Sequence, residues 1–211
     1  MTIFDLNQTP SNVTMEIVGN TGLFASPLVA SAQTLARSTK WNATYLFGNQ
    51  RDDDRGDLLG TIAALRGQDN RLRVSVFDNP KRGDYGGTPL VDGASQTGFA
   101  LNIKGATPSV ANWIRKGDYF SVEVNGEHEL KMAIADATSD GGGLVVLSFT
   151  PRLRAAPADD AVIFVEDGVL TKPQGIFLLA AADTGWSSRP GSPSKISSVR
   201  LSMTEDVFAT Q

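Results

Sequence analysis

Alternating apolar and polar residues predict that most of this chain folds as β-strands. Segments 13–17, 41–47 and 72–76 each place an apolar residue at every second position, as a strand with one buried face requires. Segment 26–39 alternates less clearly, but it carries no helix signature and we expect it to be extended as well. With 21 glycines in the chain, short strands joined by tight turns are the favoured organisation.

One segment changes from a period of two to the period of a helix. Its apolar residues follow the i, i+3, i+4, i+7 rule, so residues 51–66 are predicted to form one amphipathic helix. Gly67 takes the position of a helix-ending glycine, and Arg66 complements the helix dipole. Because Gly56 and Gly60 each weaken a helix by about 1 kcal/mol relative to alanine, packing must hold it. The residues expected to pack on a sheet are Leu58, Leu59, Ile62 and Leu65.

A second group of strand signals follows residues 81–98, a segment rich in Gly, Ser, Thr and Asp that we expect to cross between two units. About five strands and one short helical turn, over residues 109–118, are predicted within roughly 80 residues, the size of a small barrel such as an OB-fold. The strands are expected at 99–103, 119–124, 129–135, 144–149 and 161–165.

The Asn125-Gly126 turn allows two registers for the hairpin around it. A two-residue turn would place Val122 opposite Glu129 and mix apolar with charged residues on one face. A three-residue connection places Val122 opposite Leu130, so that apolar side chains meet. We therefore predict the three-residue connection, with a β-bulge.

The last strand signal, between Ser198 and Met203, alternates and needs a sheet to join. Since the barrel is already complete, we place this strand in the N-terminal sheet. The predicted fold is mainly β, with a first sheet domain that carries one flanking α-helix. That first domain is discontinuous, of residues 1–87 and 168–211, and residues 88–167 form an inserted small OB-like antiparallel barrel.

Composition narrows the classes of partner. The formal net charge is −4, from 19 basic and 23 acidic residues, which argues against nucleic-acid binding because that requires a basic face. The chain has no cysteine, so disulfides and thiolate sites are excluded. The N-terminal residues lack a signal-peptide pattern, and no apolar run approaches the ~20 residues that span a bilayer. We therefore expect a soluble protein without direct membrane insertion.

Two acidic segments invite a cation-site interpretation, but their spacing does not fit one. Neither Asp52–Asp54 nor Asp136–Gly143 has the glutamate that an EF-type loop needs at its twelfth position. The first segment is better explained as carboxylates that complement the start of a helix, and the second as a flexible hairpin tip. Arg55-Gly56-Asp57 lies within or just before the first helical turn, so we do not expect an adhesion loop.

No catalytic, cofactor-binding or metal-binding residues are predicted, and we do not expect an enzyme. The Ser-x-x-Lys pattern of Ser192 and Lys195 lacks the partner motifs of that chemistry. His128 is the one histidine, and we expect it at a solvated hairpin edge. A carboxyl group at such an edge stays hydrated, so burial cannot raise its pKa as an acid catalyst would need. The acids that would share this edge are Glu123, Glu127 and Glu129.

A set of landmark residues follows in a fixed order along the chain from about residue 35 onward. They are Trp41, Leu65-Arg66-Gly67, Asp78-Asn79-Pro80, Lys116-Gly117-Asp118, Pro151–Arg154, Ala158-Asp159 and Ser202–Phe208. With these landmarks, an aromatic strand leads into a helix, a strand and then a second group of strands. This order resembles that of tail proteins of long-tailed bacteriophages, and the chain is similar to the distal tail protein family of siphovirus-type phages, or to a closely related minor tail protein.

This resemblance implies that the first domain is a tail-tube-like β-sandwich or split barrel with one flanking α-helix. It also implies a non-enzymatic structural protein of the virion, located at the tail tip. Six copies would form a homo-hexamer ring that joins the tail tube to the hub or baseplate. The implied partners are the tail tube protein, the hub protein, the tape-measure protein and a tail fibre or receptor-binding protein. Loops 19–34, 79–98 and 183–195 are expected to act as contact arms.

Two other classes of function remain open from the sequence. A carbohydrate-binding β-sandwich module would present exposed aromatic side chains, for which Trp41, Trp113 and Trp186 are available, although the first is expected in the core. A small hydrolase would need a nucleophile–base pair, and none is credible here.

Overall fold

The computed structural model confirms a mainly β chain with one helix. It describes residues 2–6, 8–19, 21–25, 32–36, 39–48, 52–77, 82–165, 172–180, 184–187 and 198–207, with the backbone alone for 21–25, 32–36 and Asp52. The strands are β1 (Ile3–Asp5), β2 (Asn12–Val18), β3 (Thr21–Ala25), β4 (Ala32–Ala36), β5 (Lys40–Phe47), β6 (Arg71–Ser75), β7 (Gly87–Val91), β8 (Ala100–Ala106), β9 (Tyr119–Val124), β10 (Glu127–Ala133), β11 (Val145–Thr150), β12 (Ile163–Val165), β13 (Gln174–Leu179), β14 (Gly185–Ser187) and β15 (Ser198–Glu205); the helix is α1 (Asp52–Ala64).

Seven strands form the first sheet, in the order β1-β6-β13-β15-β5-β2, with β14 beside β15. The pair β1–β6 is parallel and the other pairs are antiparallel. Alternation along β5 buries Trp41, Tyr45 and Phe47 on one face, as an amphipathic strand dictates. The closing strand β15 lies between β13 and β5, so it joins the N-terminal sheet as its alternation predicts.

Helix α1 packs on this sheet through the residues that its period predicts. Leu58, Ile62 and Leu65 are buried with the sheet's core, and Leu59 packs partly against it. The helix ends at Ala64, earlier than predicted, and Arg66 is left-handed with a φ of 48°. Arg66 therefore lies beyond the last helical turn, and its predicted role toward the helix dipole was wrong.

Six antiparallel strands form the second sheet, in the order β12-β9-β10-β11-β8-β7. It closes almost completely, because Leu90 bridges Val162 between the two end strands and Val91 N donates to Ala161 O at 2.9 Å. This is the predicted small barrel, although two details differ. Strand β7 lies in the segment predicted to be a crossing loop, and segment 109–118 forms turns instead of a helix. Positive φ angles at Ser109 and Asn112 interrupt helical geometry there.

The predicted register of the β9–β10 hairpin was wrong. Glu127 pairs with Val124 and Glu129 with Val122, so the connection is the two-residue turn Asn125-Gly126, with positive φ at both residues. Such a turn matches the twist of the flanking strands. Apolar pairing failed as a guide because both faces of this hairpin are covered, one by the barrel core and the other by the first sheet. Leu130 packs in the core of the first sheet.

The two sheets are in direct contact through β10. Indole Nε1 of Trp41 donates to the carbonyl oxygen of Leu130 at 3.1 Å. The strands of the first sheet come from residues 3–75 and 174–205, and those of the barrel from residues 87–165. The division into domains at 87/88 and 167/168 stays a prediction.

Candidate interaction surfaces

The acidic start of α1 lies where the sequence predicts it. Asp53 and Asp54 are exposed in the first turn of the helix, and Arg55-Gly56-Asp57 is helical. A helical backbone cannot present this triplet as a loop tip. No group of three metal-ligating side chains occurs within the described ranges.

The acids of segment 136–143 are engaged by backbone N–H groups. Asp140 Oδ1 accepts hydrogen bonds from the N–H of Gly142 and Leu144, both at 2.8 Å. Asp136 Oδ1 accepts one from the N–H of Lys116 at 2.7 Å. These carboxylates therefore close turns, which is the ordinary use of aspartate in loops.

The end of the β9–β10 hairpin is not the solvated edge that the sequence predicts. Glu129 is fully buried, and Glu123, Glu127 and His128 are only partly exposed. The His128 ring packs on Phe164, with the ring centroids 4.4 Å apart. That expectation failed because the hairpin end faces the first sheet.

Burial changes the titration of His128. Its pKa is lowered to about 4, first because burial disfavours the charged form and second because Arg73 is close. Arg73 also lies 3.7 Å from the Glu127 carboxylate and 3.0 Å from the Asp5 carboxylate.

Ser192 and Lys195, the other pattern considered for catalysis, lie outside the described residues.

A buried ionic cluster joins the barrel to the first sheet, and the sequence did not predict it. Glu129 and Lys131 are fully buried and 2.7 Å apart. The guanidinium of Arg154 reaches Glu205 at 2.5 Å, and Glu205 also accepts a hydrogen bond from the N–H of Trp41 at 2.9 Å. Burial lowers the pKa of Lys131, and the Glu129 carboxylate opposes that shift. We call Glu129, Lys131, Arg154 and Glu205 the ionic cluster.

Two landmark residues of the resemblance, Asp118 and Asp159, form hydrogen bonds that hold loops of the barrel in place. The fully buried carboxylate of Asp118 accepts hydrogen bonds from Arg82 Nε at 2.8 Å, from the N–H of Arg115 at 3.0 Å and from the hydroxyl of Tyr85. Burial, together with Asp118, raises the pKa of Tyr85. Asp159 accepts hydrogen bonds from Lys104 Nζ and the N–H of Gly93, both at 2.9 Å. Landmark residues 78–80 and Phe208 lie outside the described ranges.

Of the three tryptophans, only Trp186 is exposed. Its exposed fraction is 58%, whereas Trp41 is 1% and Trp113 is 0% exposed. Trp113 is held by a hydrogen bond from its Nε1 to the carbonyl oxygen of Gly86 at 2.8 Å. A flat sugar-binding face with two or three aromatic rings cannot be built from these tryptophans.

Among the described residues, the strand order of the first sheet has an open edge at each end, and a hairpin arm is inserted into the chain of this sheet. Strands β1 and β2 are its end strands, and each pairs with one neighbour within the described part of the chain. Strands β3 and β4 form a separate antiparallel hairpin, inserted between β2 and β5. We call residues 21–36 the arm. Each of its strands has five residues, which makes each strand about 17 Å long.

A groove separates the edge strand β1 from helix α1. Its volume is about 640 Å³. Buried Leu6 and Leu58 contribute to its lining, and Gly56 and Gly60 present the helix backbone to it. The remaining lining residues are Phe4, Asp5, Gln8, Asp54, Asp57, Thr61 and Ala64.

Apolar side chains are exposed on the outer face of the barrel. Val146 is 62% exposed and pairs with exposed Asn102 across β8 and β11. Ile134 and Leu144 are nearly half exposed, and the N–H of Ile134 donates to the carbonyl oxygen of Ser148 on the same strand as Val146. We call Ile134, Leu144 and Val146 the barrel patch. Exposed apolar clusters of this kind occur at protein interaction sites.

Comparisons with protein-family models and with curated proteins find no match to this chain. No described helix is long and apolar enough to cross a membrane. The candidate interaction surfaces of the described residues are the two sheet edges, the arm, the groove and the barrel patch.

Proposed function

We propose that this chain is a structural component of a bacteriophage tail tip. Copies of it form a ring, hexameric in the family that it resembles, between the tail tube and the hub or baseplate. The barrel then serves as the attachment platform for a fibre or receptor-binding protein. No catalytic activity is part of the proposal.

The observation that carries the proposal is that both ends of the first sheet's strand order are open among the described residues. Unpaired strand edges recruit further strands, and soluble monomers normally cover or interrupt them. Strands β1 and β2 lie at opposite ends of the strand order, so they are two different surfaces. A contact between two different surfaces of identical subunits is heterologous, and it generates a ring when the rotation closes.

The arm supplies a second contact. Its strands pair only with each other among the described residues, and it is inserted in the chain between β2 and β5. The expected contact loop 19–34 overlaps it, although paired strands stand where a loop was expected. Of the other expected arms, segment 79–98 contributes β7 to the barrel, and most of segment 183–195 lies outside the described residues.

The barrel is suited to be a platform because it is anchored to the sheet. The ionic cluster and the Trp41–Leu130 hydrogen bond join the two, while the barrel patch stays exposed. A load taken up by the barrel would therefore pass to the ring through fixed contacts.

Light scattering and negative-stain imaging of the purified protein test the ring. The wild type should form closed rings, and replacing residues 21–36 by a short Gly-Asn-Gly turn should leave a folded monomer. Val146→Glu, which changes the barrel patch alone, is the matched control and should still form rings. A wild type that stays monomeric at high concentration, both alone and with a purified tail tube, would contradict the proposal.

A further inference from the structure

We propose that the end of the β9–β10 hairpin is a pH-sensitive contact between the barrel and the first sheet. The contact is closed while the His128 ring is neutral, and it opens when the ring takes up a proton, with the barrel and the sheet each still folded. This inference goes beyond the proposed function and does not depend on a ring. It is carried by the position of His128, by the groups around it and by a second contact that holds the opened barrel.

His128 lies on the face of the barrel that covers the first sheet. Alternate residues of a strand share a face, so His128 is on the same side of β10 as Leu130, which packs in the core of the first sheet. Ser121 is the cross-strand partner of Leu130, and its Oγ accepts a hydrogen bond from the N–H of Gln174 in β13 at 3.1 Å. A proton on His128 is therefore added within an interface between the two sheets.

The surroundings of the His128 ring accommodate its neutral form. The ring packs on Phe164 with the centroids 4.4 Å apart, and its Nδ1 is buried without a hydrogen-bond partner among the described residues. A protonated ring carries an N–H at both nitrogens, and a buried donor that finds no acceptor costs free energy. Opening the contact exposes this donor to water and removes that cost.

The charged groups around His128 come from four strands. Arg73 of β6 disfavours a second cation, whereas Asp5 of β1 favours one. The other carboxylates are Glu127, next to His128 in β10, and Glu123, its cross-strand partner in β9, while β12 carries no charged residue. In acid these carboxylates lose their charge, which leaves Arg73 without its ion-pair partners. Their protonation therefore favours opening as well.

The direction of the pH dependence follows from these groups. Burial and Arg73 together outweigh Asp5, because they lower the pKa of the His128 ring to about 4, whereas a hydrated imidazole has a pKa of about 6.5. An open contact therefore binds a proton more readily than a closed one. The contact is closed above a pH of about 6.5 and opens as the pH falls toward about 4.

A separate contact keeps the barrel attached after opening. The ionic cluster links Arg154 of the barrel to Glu205 of β15, and the indole of Trp41 donates to the carbonyl oxygen of Leu130. Neither of these contacts contains an imidazole. Acid therefore loosens one part of the interface and leaves the other in place.

Hydrogen exchange of the unmodified protein tests the opening. After division by the intrinsic exchange rate at each pH, protection of the Gln174 amide should fall at least about tenfold from pH 7 to pH 4.5, because one pKa unit corresponds to a factor of ten. The amide of Ala133, which donates to Asp118 O within the barrel, is the matched control and should stay protected. His128→Gln, which cannot take up a proton, should remove the change at Gln174.

Thiol labelling provides a second readout. Because the chain has no cysteine, Ser121→Cys places a single thiol in the buried contact between the sheets, and Ala133→Cys places one in the barrel core. Labelling rates with a pyridyl disulfide are divided by those of the same variant unfolded in urea at the same pH. Acid should speed the labelling of Ser121→Cys and leave Ala133→Cys protected, and adding His128→Gln to Ser121→Cys should cancel the acid effect.

Three outcomes count against the inference. Equal protection of the Gln174 amide at both pH values would overturn it. A parallel loss of protection at Ala133 would show global unfolding instead of the opening of one contact. An acid response that persists in His128→Gln would assign the response to the carboxylates and reject His128 as the switch. None of these results bears on the ring, which light scattering tests separately.

Discussion

His128 is the single histidine of the chain, so its titration can be followed directly by NMR. The folded protein lowers its pKa to about 4, below the unfolded value of about 6.5. Between these two values the unfolded chain binds a proton that the folded chain does not. The folded state therefore loses stability as the pH falls from about 6.5 to about 4, and the contribution is constant above that window.

We expect this loss to be about 1–2 kcal/mol, smaller than the full shift implies because the ring is partly exposed. Urea unfolding at pH 7 and pH 4.5 measures it, and His128→Gln, which does not titrate, should show a smaller difference between the two pH values. An NMR titration midpoint near 6.5 would refute this expectation.

At the same scale, the sequence could not show which polar residues are buried. Glu129 and Lys131 alternate with apolar residues, like the polar face of an ordinary strand. They are buried because Arg154 and Glu205, distant in sequence, come to the same place in the fold. Asp118 is buried for the same reason, since Arg82 and Tyr85 are more than 30 positions away from it.

At the scale of the elements, replacing a glycine by alanine should have opposite effects on stability in helix α1 and in the barrel. Gly60→Ala should stabilise the protein by about 0.5–1 kcal/mol, because its Cβ meets nothing and alanine favours the helix. Gly143→Ala should destabilise it by about 2 kcal/mol or more. Gly143 has a φ of 76°, a left-handed conformation that costs an L-residue free energy, and a Cβ there would lie 2.3 Å from Ala106 O.

Chemical denaturation of both glycine variants checks these signs. Circular dichroism should also show more helix in Gly60→Ala and an unchanged helix in Gly143→Ala. If Gly60→Ala lowered the free energy of unfolding as much as Gly143→Ala does, the open space around Gly60 would not explain its effect.

Elements with an uninterrupted apolar period were predictable, and a strand without such a period was not. Strands β5, β6 and β9 and helix α1 follow their apolar periodicity closely. Strand β7 was missed because Gly87 and Pro89 lie in it and Gly83 and Gly86 precede it, a composition typical of a turn. Proline is tolerated in β7 because an end strand leaves some of its backbone groups unpaired. The edges, the arm and the groove required the topology, which the sequence alone does not give.

At the scale of the whole molecule, the ionic cluster should couple the stability of the two sheets. Lys131→Met removes the ammonium group beside the buried Glu129 carboxylate, which should destabilise the protein by about 3–5 kcal/mol. The double variant Glu129→Leu, Lys131→Met removes both charges and should lose much less, because apolar replacement of a buried pair is often nearly neutral.

Thermal and chemical unfolding, monitored separately by tryptophan fluorescence and by circular dichroism, measure this coupling. The wild type should unfold in one transition with coincident midpoints, and Lys131→Met should separate them. A double variant that is as unstable as the single one would show that charge pairing is not what the cluster contributes.

The central position of β15 has a consequence for the order in which the protein is made. Its neighbours β13 and β5 are 19 or more positions earlier in the chain, and β5 is separated from it by the whole barrel. On the ribosome the barrel can therefore close while the middle of the first sheet is still missing. The N-terminal strands must wait, with their apolar faces exposed, until residue 205 has left the exit tunnel. A nascent chain stalled before that point should be captured by chaperones and degraded by proteases, whereas its barrel should already be protected.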